Sequence, residues 1–396
     1  MKKFIAWLPG LIILVLLTPT RSMAQDSHSL KTYRVGIFAP IYLDSVAKGG
    51  IYQYGKSFPR FTVPGLDFMQ GAMVALDSMP LYNARIDARL YDSKSKTETL
   101  DSLESRLELD SLDLIIGAVK DEEYLQLAGI AKKKHIPFIS ATYPNDGGIT
   151  GNPFLVILNS TLKAHCESIY DFLSREHVKD NIILVKQSGV QEDKVTGYFN
   201  QLHDADWGGS VKFKTFHTDS NFHALKTILD SNRTNVIIGA SLDETFAANL
   251  AITASSLHAK YKTKLIGMPN WETFASFVNP KKAVVSDFPV YVTSPYFNYK
   301  IDSFSKLLQD VYLKKYKGKP SDYAYKGFET VFVFCKLLTM YSDDMLNHLN
   351  EYPYKIFTEY RFKPVLQGKQ NGNPDYIENK HLYWIKILNA VPARAW

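Results

Sequence analysis

The residues that most often carry catalysis or bind metals are few and poorly spaced in this sequence. His165 and Cys166 are adjacent in a predicted helix, where successive side chains point about 100° apart, so they make a poor nucleophile–base pair. His217 and His223 flank a predicted strand-to-helix stretch without a zinc-ligand spacing. The motifs G-x-G-x-x-G, H-E-x-x-H and G-x-S-x-G are absent. We therefore predict a protein that is not an enzyme and that holds no metal ion or cofactor.

Polar and aromatic side chains instead follow the predicted β-strands, at the points where those strands end. The carboxyl ends fall at residues 39–43, 119–122, 141–145, 187–190, 240–243 and 268–272, with Tyr296 after a later strand. Open α/β sheets bind ligands at this edge, so the sequence predicts a binding site there. The candidate ligand-binding residues are Tyr42, Lys120, Asp121, Ser140, Thr142, Tyr143, Ser241, Asp243, Trp271, Glu272 and Tyr296.

The elements that must position these residues alternate between strand and helix. Apolar runs of five or six residues are typical of parallel strands covered on both faces, and helical periodicity separates them. The alternation restarts after residue 159, which indicates two similar α/β units in tandem. The predicted strands are 33–39, 84–91, 112–119, 136–141, 154–158, 181–186, 210–216, 236–240, 264–267, 289–294 and 382–388. The predicted helices are 66–79, 97–109, 122–134, 163–175, 194–203, 221–231, 245–258, 303–316 and 323–340. The expected fold class is α/β, with two doubly wound, Rossmann-like lobes.

Several segments resemble the type 1 periplasmic binding protein family, which includes the leucine/isoleucine/valine-binding receptors. Gly71 and Ala72 lie in the first helix, and the runs 112–119 and 136–142 resemble the third and fourth strands of a first lobe. The most specific match is residues 304–329, whose members shared with the family pattern are Phe304, Tyr312, Tyr316, Pro320, Tyr323, Ala324 and Gly327. The resemblance covers roughly residues 31–390.

The resemblance implies two lobes joined by a three-segment hinge that closes on a ligand. Lobe 1 would comprise residues 31–157 plus 288–348, and lobe 2 residues 160–286 plus 352–396. The implied function is an extracytoplasmic solute-binding protein that captures an amino-acid-like or other polar small molecule for an inner-membrane ABC permease. An alternative is a cell-envelope interaction protein that keeps the bilobal fold without binding a transported ligand.

The resemblance also implies roles for the candidate residues. Ser140 and Thr142 would offer hydroxyls to a carboxylate, and Asp243 or Glu272 would pair with a cation. The aromatic residues Tyr42, Tyr143, Trp271 and Tyr296 would form the wall for an apolar or ring-shaped ligand. In the alternative reading, Asp121 and Asp243 only cap helices.

The sequence departs from the family pattern after the third strand. Amino-acid receptors usually place a serine there, whereas this chain has Lys120, Asp121 and Glu122. The Lys120 ammonium would either accept an anion or fill the pocket and exclude an amino acid. The long segment 41–64, rich in tyrosine, phenylalanine and glycine, is expected to be a lid or a partner contact.

The N-terminus predicts export. Lys2 and Lys3 precede an apolar run of about fourteen residues, shorter than the ~20 needed to span a membrane, and residues 22–24 suit cleavage, so 1–24 is a predicted signal peptide. The absence of cysteine near the cut argues against a lipoprotein, and we expect a periplasmic protein with no stable membrane insertion. Removing 1–24 lowers the formal charge of the 396-residue chain from +6 to +3, too little to predict nucleic-acid binding. Cys166 and Cys335 either pair or stay as separate buried thiols.

Overall fold

The computed structural model describes residues 31–206, 211–218, 222–351, 356–366 and 372–396. The predicted signal peptide, residues 1–24, lies outside these ranges. Within them, no helix combines the length and the apolar character needed to cross a membrane.

The described ranges contain two large sheets and one small hairpin. Their strands are β1 (Thr32–Ala39), β2 (Ala47–Lys48), β3 (Ile51–Tyr52), β4 (Arg85–Asp92), β5 (Leu114–Gly117), β6 (Phe138–Ser140), β7 (Leu155–Ile157), β8 (Asn181–Lys186), β9 (Phe213–His217), β10 (Asn235–Gly239), β11 (Thr263–Ile266), β12 (Val290–Ser294), β13 (Phe362–Val365), β14 (Tyr376–Asn379), β15 (Tyr383–Leu388) and β16 (Val391–Arg394).

Helices cover the faces of both large sheets. They are α1 (Leu43–Val46), α2 (Val63–Ser78), α3 (Leu100–Ser105), α4 (Asp121–Lys134), α5 (Leu162–Glu176), α6 (Val190–Ala205), α7 (Glu244–Tyr261), α8 (Ala275–Val278), α9 (Ser303–Tyr316) and α10 (Asp322–Tyr341). Short 3₁₀ helices occupy Arg60–Thr62, Met79–Tyr82, Phe222–Thr227, Pro269–Thr273 and Ser342–His348.

Each large sheet has seven strands and defines one lobe. The first-lobe sheet has the order β13-β14-β7-β6-β5-β1-β4, and the second-lobe sheet has the order β16-β15-β12-β11-β10-β8-β9. The strands from β4 to β14 in the first and from β9 to β12 in the second run parallel. The α/β class with two doubly wound lobes is therefore confirmed.

Burial explains why the apolar runs became strands. All residues of β5, β8 and β10 are buried, because helices cover both faces of each sheet. A hydroxyl cap begins α5, where Thr161 Oγ1 accepts a hydrogen bond from the N–H of Ala164 at 3.4 Å.

The strand pairing divides the chain differently from the expected lobe boundaries 31–157 plus 288–348 and 160–286 plus 352–396. β12 pairs with β11, so residues 290–294 belong to the second lobe. β13 and β14 join β7, so residues 362–379 belong to the first lobe. The described parts of the chain pass between the sheets at residues 158–161, 295–302 and 380–382. The C-terminal strands are short and similar to one another in composition, so the sequence did not indicate which of them join the first-lobe sheet and which join the second-lobe sheet.

Two predicted helices need correction. The predicted helix 97–109 is helical only over α3, because Leu107 adopts a left-handed φ of 59°. Within the predicted helix 221–231, the structure has a 3₁₀ helix over Phe222–Thr227 only. The segment 41–64 contains α1, the β2–β3 hairpin and a 3₁₀ turn.

The two cysteines do not form a disulfide. Cys166 and Cys335 are both free and buried. Cys166 lies in the core of the second lobe and Cys335 in a core of the first lobe, so they contribute to packing in different lobes.

Candidate functional site

A cavity of about 390 Å³ lies at the carboxyl ends of the first-lobe strands. It brings together four of the residues predicted from the sequence, namely Tyr42, Lys120, Thr142 and Tyr143. We call it the first-lobe cavity. Its remaining lining residues are Pro40, Phe61, Pro64, Ser93, Lys94, Ala118, Val119, Glu123, Pro144, Asn159, Tyr323 and Lys326.

A carboxylate at the end of β4 fixes the aromatic side of this cavity. The N–H groups of Ile41, Tyr42 and Leu43 donate to the Asp92 carboxylate at 2.9, 3.0 and 2.7 Å. These bonds hold Tyr42 in a left-handed conformation, with φ of 64°. The Tyr42 ring then meets Phe61 edge-on, with 5.1 Å between ring centroids. Asp92 was not predicted as a site residue, although its place at a strand end is a signal for one.

Lys120 does not fill the cavity. Its side chain is 69% exposed, and its Nζ lies 3.7 Å from an Asp121 carboxylate oxygen. Asp121 also accepts a hydrogen bond from the Tyr143 hydroxyl at 3.2 Å. The reading of Asp121 as the cap of α4 is wrong, because Lys120 occupies the cap position and Asp121 is the first helical residue, with φ of 52°.

The β6 turn contributes a backbone and a side chain to the cavity wall. The Thr142 carbonyl accepts a hydrogen bond from Asn159 Nδ2 at 2.6 Å, which ties the turn to the first crossing between lobes. Ser140 is fully buried within β6, and its hydroxyl has no hydrogen-bond partner among the described residues. Ser140 therefore does not present its hydroxyl to the cavity, contrary to expectation.

Two predicted residues of the second lobe belong to its core. The Ser241 hydroxyl is buried and donates to Glu192 Oε1 at 2.6 Å, while its carbonyl accepts from Trp271 Nε1 at 2.8 Å. Trp271 is fully buried and stacks on Phe277, with centroids 5.6 Å apart. The prediction that Trp271 forms a ligand wall is wrong, because its ring lies over the two strand-end glycines: a Cβ on either would fall about 2 Å from the ring, at 2.3 Å for Gly239 and 2.2 Å for Gly267.

Asp243 has the structural role that the sequence left open. It is the cap of α7, and its Oδ1 accepts a hydrogen bond from the Phe246 N–H at 2.7 Å. The carboxylate is thereby committed to the helix start.

Glu272 and Tyr296 meet beside the second crossing between lobes. Ser294 Oγ lies 3.2 Å from Glu272 Oε1 and 2.9 Å from the Tyr296 carbonyl oxygen. Burial raises the pKa of Glu272 to about 7, with Ser294 and Lys326 opposing that rise. Burial also raises the pKa of the Tyr296 hydroxyl.

Lys326 connects this cluster to the first-lobe cavity, and the sequence gave no indication of it. It lies on α10, lines the first-lobe cavity, and also lines a small hinge cavity of about 20 Å³ together with Tyr296. Its Nζ is 5.2 Å from the centroid of the Tyr296 ring. Only the packing of α10 against the strands reveals this position.

A second cavity, of about 330 Å³, lies between the lobes. Tyr143, Pro144, Asn145 and Asp146 form its first-lobe side, and Tyr143 and Pro144 are shared with the first-lobe cavity. The second-lobe side carries Thr161, Leu162, Gln191, Lys194, Tyr198 and Leu242. The carboxyl ends of both sheets therefore face one continuous interlobe region. A further cavity of 420 Å³, around Arg361 and His381, contains none of the predicted residues.

Residues 50–57 have the spacing G-x-x-x-x-G-K-S of a phosphate-binding loop. A phosphate-binding loop joins a strand to a helix, whose N-terminal N–H groups hold the phosphate. Here the spacing falls on the β2–β3 hairpin and the bend after it, and the next α-helix begins only at Val63. The local structure therefore does not support phosphate binding. Among the described residues, no group of three or more histidine, cysteine or acidic side chains is placed to hold a metal ion.

Comparison with solved structures finds the same overall architecture in several proteins of low sequence identity. A Rhodospirillum rubrum protein assigned as a branched-chain amino acid ABC transporter is 12% identical, with TM-score 0.64, over 92% of this chain and 100% of that one. An ABC transporter substrate-binding protein of Desulfitobacterium hafniense, in complex with Leu, is 12% identical, with TM-score 0.55, over the same shares of the two chains.

A branched-chain amino acid ABC transporter periplasmic ligand-binding protein of Burkholderia xenovorans is 12% identical, with TM-score 0.56, over 88% of this chain and 95% of that one. No protein-family model and no curated protein sequence matches the chain. At identities this low, the comparison shows a shared fold and nothing more. The chain has the type 1 periplasmic binding protein fold.

Proposed function

We propose that this chain is an extracytoplasmic solute-binding protein that captures a small polar molecule between its lobes. The observation that carries the proposal is the first-lobe cavity, which lies at the carboxyl ends of the strands and is left open by the exposed Lys120 side chain. Its volume of about 390 Å³ falls within the ~300–1,000 Å³ of ordinary ligand pockets. The aromatic walls of such a cavity supply contact area for a ligand, and its few charged groups orient that ligand.

The proposed location is the periplasm, and the proposed partner is an inner-membrane ABC permease. The basic and apolar pattern of residues 1–24 supports export. The solved structures of similar fold include substrate-binding proteins of ABC transporters. Fractionation of cells expressing the full chain tests the location: recovery in the cytoplasm with residues 1–24 still attached would refute it.

Isothermal titration calorimetry of the purified protein against a panel of amino acids, small organic acids, amines and sugars tests the binding function. We expect one chemical class to bind with one-to-one stoichiometry, and the bound protein to be more compact by small-angle X-ray scattering because the lobes close. Conversion of a panel member without a stable complex would refute a receptor role.

A second candidate function is a cell-envelope interaction protein. The segment 41–64 favours it, because Ile51 and Phe58 are 70% and 55% exposed there. Serine at both positions should leave solute binding unchanged and abolish association with envelope fractions if this segment is the contact. Unchanged association would exclude the segment.

A further inference from the structure

The three lysines that line the first-lobe cavity differ in whether they have an acidic partner. Lys94 forms an ion pair with Glu123, and Lys120 lies 3.7 Å from an Asp121 oxygen. Lys326 differs from both: within the described ranges its ammonium forms neither a hydrogen bond nor an ion pair, and its close contact is the Tyr296 ring. Among the described lining residues, Lys326 is therefore the basic side chain without a hydrogen-bond or ion-pair partner.

The acidic side chains that face Lys326 do not neutralise it by contact. Glu329, on the same helix, accepts hydrogen bonds from the N–H groups of Phe357 and Thr358 at 2.7 and 2.6 Å. Asp322, one turn earlier on α10, pairs with Lys300 at 2.7 Å. Glu272, from the second lobe, is bonded to Ser294. Burial lowers the pKa of Lys326, which these three carboxylates oppose, so the ammonium has lost hydration without gaining a counter-ion in contact.

Among the described residues that line the two cavities, no carboxylate is without a partner and so available to a positively charged ligand. The carboxylates that line the first-lobe and interlobe cavities are Glu123 and Asp146. Glu123 is paired with Lys94, and Asp146 accepts hydrogen bonds from the Gly148 N–H and the Tyr376 hydroxyl at 2.9 and 3.1 Å. An ammonium group entering either cavity would meet acids that already have partners, whereas a carboxylate entering the first-lobe cavity would meet the unpaired Lys326.

The remaining wall of the first-lobe cavity is aromatic. Tyr42, Phe61, Tyr143 and Tyr323 line it, and Tyr42 and Phe61 are already in edge-on contact. Such rings favour an apolar or planar ligand body. We infer that the first-lobe cavity selects small organic monocarboxylates with an apolar or aromatic body and no ammonium group, bound through Lys326. This inference rests on the proposed solute-binding function and names its ligand class.

Three probes with one phenylethyl skeleton separate the charge classes: 3-phenylpropanoate, L-phenylalanine and 2-phenylethylamine. Titration calorimetry of the unaltered protein at pH 7 should show 3-phenylpropanoate binding at least ten-fold more tightly than L-phenylalanine, and 2-phenylethylamine not binding. L-Phenylalanine binding as tightly as 3-phenylpropanoate, or more tightly, would overturn the inference.

Lys326→Met tests the residue itself. Loss of a hydrogen bond to a charged group should weaken 3-phenylpropanoate binding about 10- to 100-fold. Lys336→Met is the matched control, because Lys336 lies on the same helix with its Nζ 4.9 Å from the Tyr82 ring and does not line the cavity. It should leave the affinity unchanged, and circular dichroism melting should show both variants folded. Equal affinity of Lys326→Met and the unaltered protein would overturn the assignment.

The same titrations separate this inference from the proposed function. If amino acids or sugars of the wider panel bind while 3-phenylpropanoate does not, the ligand class is wrong and the receptor function stands. If no member of the panel binds, both are wrong.

Discussion

The stability of the first lobe depends on a close crossing of α2 and α10 at two glycines. A Cβ on Gly71 would lie 1.9 Å from the Ala324 carbonyl oxygen, and a Cβ on Gly327 would lie 2.0 Å from the Phe68 carbonyl oxygen. Real Cβ atoms essentially never approach closer than 3.0 Å, so Gly71→Ala forces the helix backbones apart by about 1 Å. No flexible side chain can absorb the clash, because both obstacles are backbone atoms.

Two opposing effects set the size of the change. Overpacking costs about 1–3 kcal/mol of unfolding free energy, and a rigid backbone obstacle lies at the upper end of that range. Alanine regains up to about 1 kcal/mol of helix propensity over glycine. We expect Gly71→Ala to destabilise the protein by about 2 kcal/mol. Gly129 provides the matched control, because it is exposed on α4 of the same lobe and a Cβ there meets nothing within 4 Å. Gly129→Ala should stabilise by about 0.5–1 kcal/mol.

Urea unfolding followed by circular dichroism measures both variants against the unaltered protein, with free energies from linear extrapolation. Gly71→Ala should be less stable than the parent and Gly129→Ala more stable, so that their free energies of unfolding differ by about 3 kcal/mol. If Gly71→Ala were as stable as Gly129→Ala, the helices would not cross as closely as described.

Three further outcomes follow from the site. Trp271→Ala should cost about 3–5 kcal/mol of stability by leaving a cavity over Gly239 and Gly267, while the folded fraction keeps its solute affinity in calorimetry. Burial raises the pKa of Glu272 to about 7 from an ordinary 4.5, so the folded state favours the protonated acid and stability falls as pH rises from about 4.5 through 7. Glu272→Gln should therefore exceed the parent in stability at pH 8, by up to about 3 kcal/mol, and match it at pH 4 in urea titrations; equal stability at pH 8 would contradict this. Dithiothreitol should leave the melting temperature unchanged, and two thiols should react with a thiol reagent only after unfolding, because Cys166 and Cys335 are free and buried.

The regular elements were predictable where one local signal decided the outcome. β8 and α9 have the predicted bounds, since an apolar run between polar residues and a helical pattern ending before Gly318 are each unambiguous. β13 and β14 were assigned to the wrong lobe because pairing with a distant strand, β7 for β14, leaves no trace in a local pattern. The lobe that each of these strands joins is visible in the sheet topology but not in the amino-acid composition of the strand.

The site was predictable to the extent that strand ends define it. Tyr42, Lys120, Thr142 and Tyr143 lie together because the three loops that carry them follow the carboxyl ends of neighbouring parallel strands. Trp271 has the same sequence signature but turns inward, and glycine at both Gly239 and Gly267 was the available sign that a large ring covers those strand ends. Lys326 lies more than 180 residues after Tyr143 in the sequence, so no spacing rule could place it there.

The position of Lys326 on α10 also explains how its backbone is held in place. The next residue, Gly327, is in backbone contact with Phe68 of α2, which fixes the helix against the first lobe. One turn along, Glu329 accepts hydrogen bonds from the N–H groups of Phe357 and Thr358, and from the Thr358 hydroxyl at 2.7 Å. Both attachments lie within three residues of Lys326 on its own helix and restrain the backbone there. Binding then needs little ordering of the helix that presents the charge, which favours affinity because pre-organisation reduces the entropic cost of binding.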